Sequence, residues 1–215
     1  MRKGVIFDMD GVLVDNRDAH IDSFMEFCRR NGVELEKSKL KAMFGMTNNE
    51  IMPALLPPEL IRRKGIKALS EEKEAIYREM YARTIAPVGG LVDFLKALKA
   101  AGFKTAVGSS GIRPNIDFVL EKCGITGCFD AIVNGEMVSR GKPDPEIYLL
   151  AAEKLGLAPQ QCVVIEDSFA GIKAGRGAGA AIIAMATTFP KEQHKDYDLL
   201  VSDFTELSVG QVRDL

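Results

Sequence analysis

Along the chain, short unbroken apolar runs alternate with stretches in which apolar residues recur every three or four positions. Gly4 to Asp8 is a β-branched and aromatic run that ends in acids, the pattern of a strand buried on both faces. Four similar runs follow much later, at Lys104 to Ser109, Ala131 to Asn134, Cys162 to Asp167 and Ala180 to Met185, with Leu199 to Ser202 as a shorter sixth. Between them, Leu91, Phe94, Leu95 and Leu98 keep the i, i+3, i+4, i+7 spacing of one helix face, as do Ile116, Val119, Leu120 and Cys123. Strands alternating with amphipathic helices predict an α/β fold, a parallel sheet covered on both faces.

The span from about Asp15 to Ala86 interrupts that alternation. Ile21, Phe24, Met25 and Cys28 mark a helix stopped near Gly32. Further helical stretches follow around Lys37–Met43, Asn48–Leu55 and Leu69–Ile85, with Pro53, Pro57 and Pro58 as punctuation. No strand pattern occurs there. The predicted organisation is an α/β core of residues 1–14 and 87–215, with residues 15–86 as an all-helical domain inserted after the first strand.

Composition narrows the partners. The 215 residues carry 28 basic and 30 acidic side chains, a net charge of −2, which removes the usual electrostatic case for binding nucleic acid or an anionic membrane. The start, Met1 to Asp8, is too short and too charged for a signal peptide, and no run approaches the ~18 apolar residues of a membrane span. Cys28, Cys123, Cys128 and Cys162 form no Cys-x-x-Cys pair. Buried free thiols in a reducing cytoplasm are the expectation.

In open parallel sheets, ligands bind beyond the carboxyl ends of the strands. Asp8 and Asp10 follow the first run, Ser109 and Ser110 the second, and Glu166 and Asp167 end the fourth; Lys142 lies just ahead of a helix beginning near Pro145. Carboxylates gathered in one crevice repel unless a cation holds them, and oxygen-only ligands favour magnesium (Mg2+). Hydroxyls, turn N–H groups and an ammonium suit the remaining oxygens of a phosphate. One carboxylate can attack phosphorus, while a second gives a proton to the leaving oxygen and later takes one from water. The residue types fit metal-assisted phosphoryl transfer. Plainer roles also exist: strand-ending solvated acids at Asp8 and Asp10, helix capping by Glu166 and Asp167, a turn cap at Ser109, and a surface lysine beside a proline turn at Lys142.

Four segments resemble, in order, the motifs of the haloacid dehalogenase superfamily. They are Asp8-Met9-Asp10-Gly11-Val12-Leu13-Val14-Asp15, Gly108-Ser109-Ser110-Gly111, Lys142-Pro143-Asp144-Pro145, and Val164-Ile165-Glu166-Asp167-Ser168-Phe169-Ala170-Gly171-Ile172-Lys173-Ala174-Gly175. The resemblance covers essentially the whole chain and implies a Rossmann-like core with a helical type 1 cap, in the β-phosphoglucomutase-like branch. It implies Asp8 as nucleophile and Asp10 as general acid and base, its backbone carbonyl also on Mg2+. Asp167 is implied as a metal ligand, Glu166 as a ligand directly or through water, and Ser109 and Lys142 as holders of the phosphoryl group. Dehalogenating relatives lack the second acid, so Asp10 favours phosphoryl transfer.

For the cap, the resemblance marks His20, near the hinge, and Lys73, four residues before a tyrosine. His20 also fits a packed place beside its helix's apolar stripe, and Lys73 a solvated charge run. Mutases of that branch carry an arginine that grips the non-reacting phosphate; here that place is Asn48, flanked by Thr47 and Asn49, which are polar contacts for a substrate. The implied protein is a cytoplasmic, monomeric, Mg2+-dependent phosphatase of a small phosphorylated metabolite such as a sugar phosphate. A β-phosphoglucomutase is the runner-up, and a non-catalytic binding protein on the same fold is the alternative of another class.

Overall fold

The computed structural model describes residues 1–42 and 48–215, and the chain forms two compact units, Met1–Asp15 with Ile85–Leu215, and Asn16–Thr84.

The regular elements of the Asn16–Thr84 unit, among its described residues, are all helices: α1 (Arg17–Arg30), α2 (Lys37–Ala42), α3 (Asn48–Leu55), α4 (Pro58–Lys64) and α5 (Ile66–Tyr81). Its core joins Ile21, Phe24, Phe27 and Cys28 of α1 to Leu40, Met52, Leu60, Leu69 and Ile76. Met25, at the margin of the α1 stripe, only packs against that core from outside. Two boundaries differ from the sequence pattern. The Pro57-Pro58 pair does not merely punctuate: Pro58 opens α4 at its first position, where a missing N–H costs no hydrogen bond. The last helix starts earlier and stops earlier than Leu69–Ile85, because Gly65, at φ 79°, turns the chain directly into Ile66.

The other unit is a six-stranded sheet of β1 (Gly4–Phe7), β2 (Lys104–Gly108), β3 (Ala131–Val133), β4 (Cys162–Glu166), β5 (Ala181–Met185) and β6 (Leu199–Val201). All pairings are parallel and the order is β3-β2-β1-β4-β5-β6. Helices α6 (Leu91–Ala100), α7 (Arg113–Lys122), α8 (Glu146–Leu155), α9 (Phe169–Ala178) and α10 (Val209–Asp214) accompany it. Side chains alternate across a strand. Ile6, Val164 and Ile182 pack against Ile147, Tyr148 and Ala151 of α8 and Ile172 of α9, whereas Phe7 meets Phe94 of α6 edge-on at 6.5 Å. With both faces covered, every position of β1, β4 and β5 is buried, which is why these strands read as continuous apolar runs.

All six expected runs are strands. In five of them the ladder stops short of the last polar residue, because Asp8, Ser109, Asn134, Asp167 and Ser202 leave the sheet at its carboxyl edge, whereas the Ala180–Met185 run ends within its strand. The four cysteines are free, Cys28 and Cys162 buried, and burial pushes the thiols of Cys28, Cys123 and Cys162 up to about 11. Among the described residues, no helix is long and apolar enough to cross a membrane.

Candidate active site

Strand register decides which polar residues meet. Phe7 pairs with Ile165 of β4 and with Val107 of β2, so Asp8, Glu166 and Asp167, and Ser109 emerge side by side from three adjacent central strands. The Asp8 N–H still donates to the Ile165 carbonyl at 3.0 Å. After it the chain folds into a tight turn, with the Leu13 N–H on the Met9 carbonyl and the Gly11 N–H on the Val14 carbonyl, both at 2.8 Å. Gly11 sits at φ +78° in this turn, and a Cβ there would fall 2.0 Å from Asp167 Oδ2. Glycine is required twice over, for conformation and for closeness.

Lys142 reaches the same point from the loop ahead of α8. Its ammonium donates to Asp8 Oδ1 and to Glu166 Oε1, each at 2.7 Å, and lies 4.9 Å from the centre of the Tyr148 ring. The Tyr148 hydroxyl donates to the same Glu166 oxygen at 2.7 Å. Glu166 Oε2 accepts from the backbone N–H groups of Asp167 and Ser168, both at 2.9 Å, and from Ser168 Oγ at 3.0 Å. Glu166 is wholly buried, and a Cβ at Gly171 would lie 1.6 Å from its Oε1. Five donors thus fix this one carboxylate.

The charge balance is lopsided. Asp8, Glu166 and Asp167 offer carboxylate oxygens within 4.8 Å of one another. Burial, with Glu166 and Asp10 nearby, pushes Asp8 up to about 7 although Lys142 opposes it. Burial first, then Glu166 and Asp8, holds Asp167 well above the ordinary carboxylate range. Burial also works against a charged Glu166, but Lys142 and the hydrogen bonds together leave it below its usual value. Burial disfavours the charged Lys142, yet Asp8 and Glu166 raise it overall, so it stays an ammonium. Three carboxylates sharing one ammonium, all with hard oxygen donors, fit a divalent cation such as Mg2+. Both Glu166 oxygens are engaged by protein donors, which suits it to the indirect of its two implied roles. Asp8 and Asp167 are the better placed for direct contact.

The remaining predicted residues fall in two groups. Ser109 is buried in the core unit and its Oγ accepts the Gly111 N–H at 3.0 Å, while Ser110 is exposed and Asp10 half-buried. In the helical unit, His20, Asn48 and Lys73 share one cluster. Lys73 Nζ donates to His20 Nδ1 and to Glu74 Oε1, both at 2.9 Å. The His20 ring stacks on Tyr77 at 4.0 Å, and Asn48 Nδ2 donates to Glu74 Oε1 at 2.7 Å. Thr47 lies outside the described residues.

Four residues of these clusters escaped sequence reasoning: Tyr148, Thr187, Thr188 and Glu74. The Thr188 hydroxyl bonds the Asp167 carboxylate, and Thr187 Oγ1 donates to the Gly11 carbonyl. Only Glu74 left a local trace: Lys73 stands four residues from both Leu69 and Tyr77, on the buried stripe of α5, where a charged residue needs a partner.

Residues 5–185 match the model of the haloacid dehalogenase-like hydrolase family. The chain belongs to that family. It is 31% identical over 219 residues to hexitol phosphatase A of Escherichia coli strain K12, covering 96% of this chain and 94% of that one. Fructose-1-phosphate phosphatase YqaB of the same organism is 33% identical over 177 residues, 82% of this chain and 92% of the relative. One longer Arabidopsis thaliana relative is 31% identical over 217 residues, and the chain spans 20% of it. Among solved structures, CbbY from Rhodobacter sphaeroides in complex with phosphate superposes with a TM-score of 0.90 at 27% identity, over 100% of both chains. This haloacid dehalogenase-like chain thus has named phosphatases among its sequence relatives and shares its fold with CbbY.

Proposed function

We propose that the chain is a phosphoric monoester hydrolase that releases phosphate from a small sugar or polyol phosphate, with Mg2+ bound and a phospho-aspartate formed on Asp8. The observation that carries this reading is the Lys142 ammonium, 2.7 Å from both Asp8 and Glu166 beside Asp167, at the edge of the sheet where parallel folds take their ligands. The names of the relatives, a hexitol phosphatase and a fructose-1-phosphate phosphatase, support the substrate class.

In this scheme Lys142 and Ser109 hold the phosphoryl group. The Asp8 carboxylate attacks phosphorus in line, so that an Asp8 oxygen–phosphorus bond forms as the bond to the leaving oxygen breaks. Asp10 gives its proton to that leaving oxygen. Asp10 then takes a proton from a water whose oxygen attacks phosphorus, freeing Asp8 and inorganic phosphate. Asp8, Asp167 and the Asp10 backbone carbonyl would hold Mg2+, with Glu166 acting through water, and the ion would supply positive charge that offsets the repulsion between the phosphate and the attacking carboxylate.

The mutase reading asks for more. It must keep a doubly phosphorylated intermediate bound, which demands a cation for the second phosphate, best an arginine fork. At the place of that arginine, Asn48 donates to Glu74, and Glu74 also meets the charge of Lys73. One ammonium facing one carboxylate is a neutral pair, and it suits hydroxyl groups better than phosphate.

The test is a panel of hexitol phosphates, fructose 1-phosphate and β-glucose 1-phosphate with its bisphosphate activator, assayed for phosphate and for isomerised sugar. Phosphate release in the presence of Mg2+ is expected to dominate. Isomerisation far exceeding phosphate release makes the protein a mutase. No release from any member, nor from p-nitrophenyl phosphate, leaves a binding protein on a catalytic fold.

A further inference from the structure

One residue beyond β5, the segment Thr187-Thr188-Phe189 ties together two parts of the core unit that are about 150 residues apart in the chain. The Thr187 hydroxyl donates to the carbonyl of Gly11, in the turn that carries Asp10. The Thr188 hydroxyl bonds the carboxylate of Asp167, on the next strand. The crowding is tight: the space a Gly11 Cβ would fill is bounded by Asp167 Oδ2 at 2.0 Å and Thr188 Oγ1 at 2.9 Å. Thr188 and Asp167 are 7% and 4% exposed, so water competes weakly for this bond.

The rest of the segment is braced. The Phe189 ring stacks on Phe169, the first residue of α9, with centroids 4.4 Å apart and planes 26° from parallel. The Phe189 carbonyl accepts from Nε2 of the buried His194 at 3.1 Å. Phe169 stands two residues beyond Asp167, so the same segment holds that acid and the start of the helix that follows it.

We propose that Thr188 is a positioning residue for Asp167: its hydroxyl anchors one carboxylate geometry so that the acid faces a divalent cation in the orientation that binding needs. This rests on the metal-dependent reading given above. A β-branched side chain is restricted at χ1, and the aromatic brace holds the backbone beneath it, so the anchor is preorganised. Groups that orient a metal ligand without touching the metal typically change its affinity about 10–100-fold when removed.

The test measures Mg2+ binding to the whole protein by titration calorimetry and by the Mg2+-induced rise in melting temperature, with no substrate present. Thr188→Val keeps the shape and removes the hydroxyl, and Thr188→Ser keeps the hydroxyl. Thr188→Val is expected to bind Mg2+ at least about tenfold more weakly, with Thr188→Ser within about twofold of wild type, and each variant melting cooperatively as a folded protein without metal. If Thr188→Val fails to fold, Thr188→Ala against Thr188→Ser carries the same comparison. Wild-type affinity in the variant without the hydroxyl overturns the positioning role and leaves the enzyme reading standing. A wild-type protein that binds no divalent cation overturns both.

Discussion

Two lysines of this chain are buried side by side with carboxylates, and they have opposite consequences. The side chains of Lys142 in the core and Lys73 in the helical unit are 8% and 2% exposed. Each lies over aromatic rings, Lys142 over Tyr148 at 4.9 Å and Lys73 over Phe24 at 4.7 Å. Between Lys73 and Glu74 the charge is matched, one ammonium to one carboxylate at 2.9 Å, with a histidine nitrogen at the same distance from the lysine. Around Lys142 it is not, since Asp8, Glu166 and Asp167 crowd within 4.8 Å of one another. A balanced buried pair is a structural unit whose removal threatens the fold. An unbalanced one stores unmet demand for positive charge, and that demand is what a metal and a substrate can answer.

The sharpest way to break the contrast is at Asp8. Asp8→Asn keeps the shape and removes the attacking charge. Turnover of a sugar phosphate should fall by at least about a thousandfold, as losses of a nucleophile do, while the variant melts as a folded protein. Near-wild-type turnover in a pure sample removes Asp8 from the mechanism. Chelation should act almost as strongly. Activity is expected to vanish after exhaustive removal of divalent ions and to return with Mg2+, with Ca2+ restoring it poorly because its larger, looser shell misplaces ligands. Full activity in the stripped enzyme contradicts the reading of the acidic cluster.

The same imbalance explains what the sequence alone could convey. The core lysine, its acids and their strands were legible because each sits in a contiguous segment: a strand buried on both faces is an apolar run, and the residues that close it mark the functional edge. The partners that tune them were not legible. Tyr148 lies within Ile147-Tyr148-Leu149-Leu150 of α8 and reads as core, yet its hydroxyl reaches Glu166, 18 residues away in the chain. Thr188 reads as an ordinary loop residue, and its partner lies one strand back. In Glu71-Glu72-Lys73-Glu74 the charges look solvated until the helix is turned: Lys73 and Glu74 are buried, whereas Glu71 is exposed. Helix α4 was hidden by its own opening proline.

A direct comparison of the two lysines follows. Lys142→Met should cost about 100–1,000-fold in turnover, the scale of losing a preorganised charge at a reacting centre. Lys73→Met takes the ammonium away from the buried Glu74, which keeps its bond from Asn48, and should cost about 3–5 kcal/mol of stability by denaturant titration. Its turnover of p-nitrophenyl phosphate should stay within severalfold of wild type. The double change Lys73→Met with Glu74→Leu should recover most of the stability, since a buried pair replaced by apolar residues is close to neutral. A double variant no better than the single one means that the pair does more than balance its own charge.

The smallest effect belongs to Tyr148, and it separates holding a charge from carrying one. Tyr148→Phe keeps the ring that lies under Lys142 and removes only the hydroxyl that donates to Glu166 Oε1 at 2.7 Å. A hydrogen bond to a charged acceptor is worth about 1.5–3 kcal/mol. Glu166 keeps four other donors, however, among them the Lys142 ammonium at 2.7 Å, so the loss should fall at the bottom of that range. Lys142 still bridges Asp8 and Glu166, so turnover should drop only severalfold, with stability lower by about 1–2 kcal/mol. A fall in turnover as large as that of Lys142→Met makes the tyrosine hydroxyl part of the reacting machinery, and the contrast between the charge that acts and the groups that hold it dissolves.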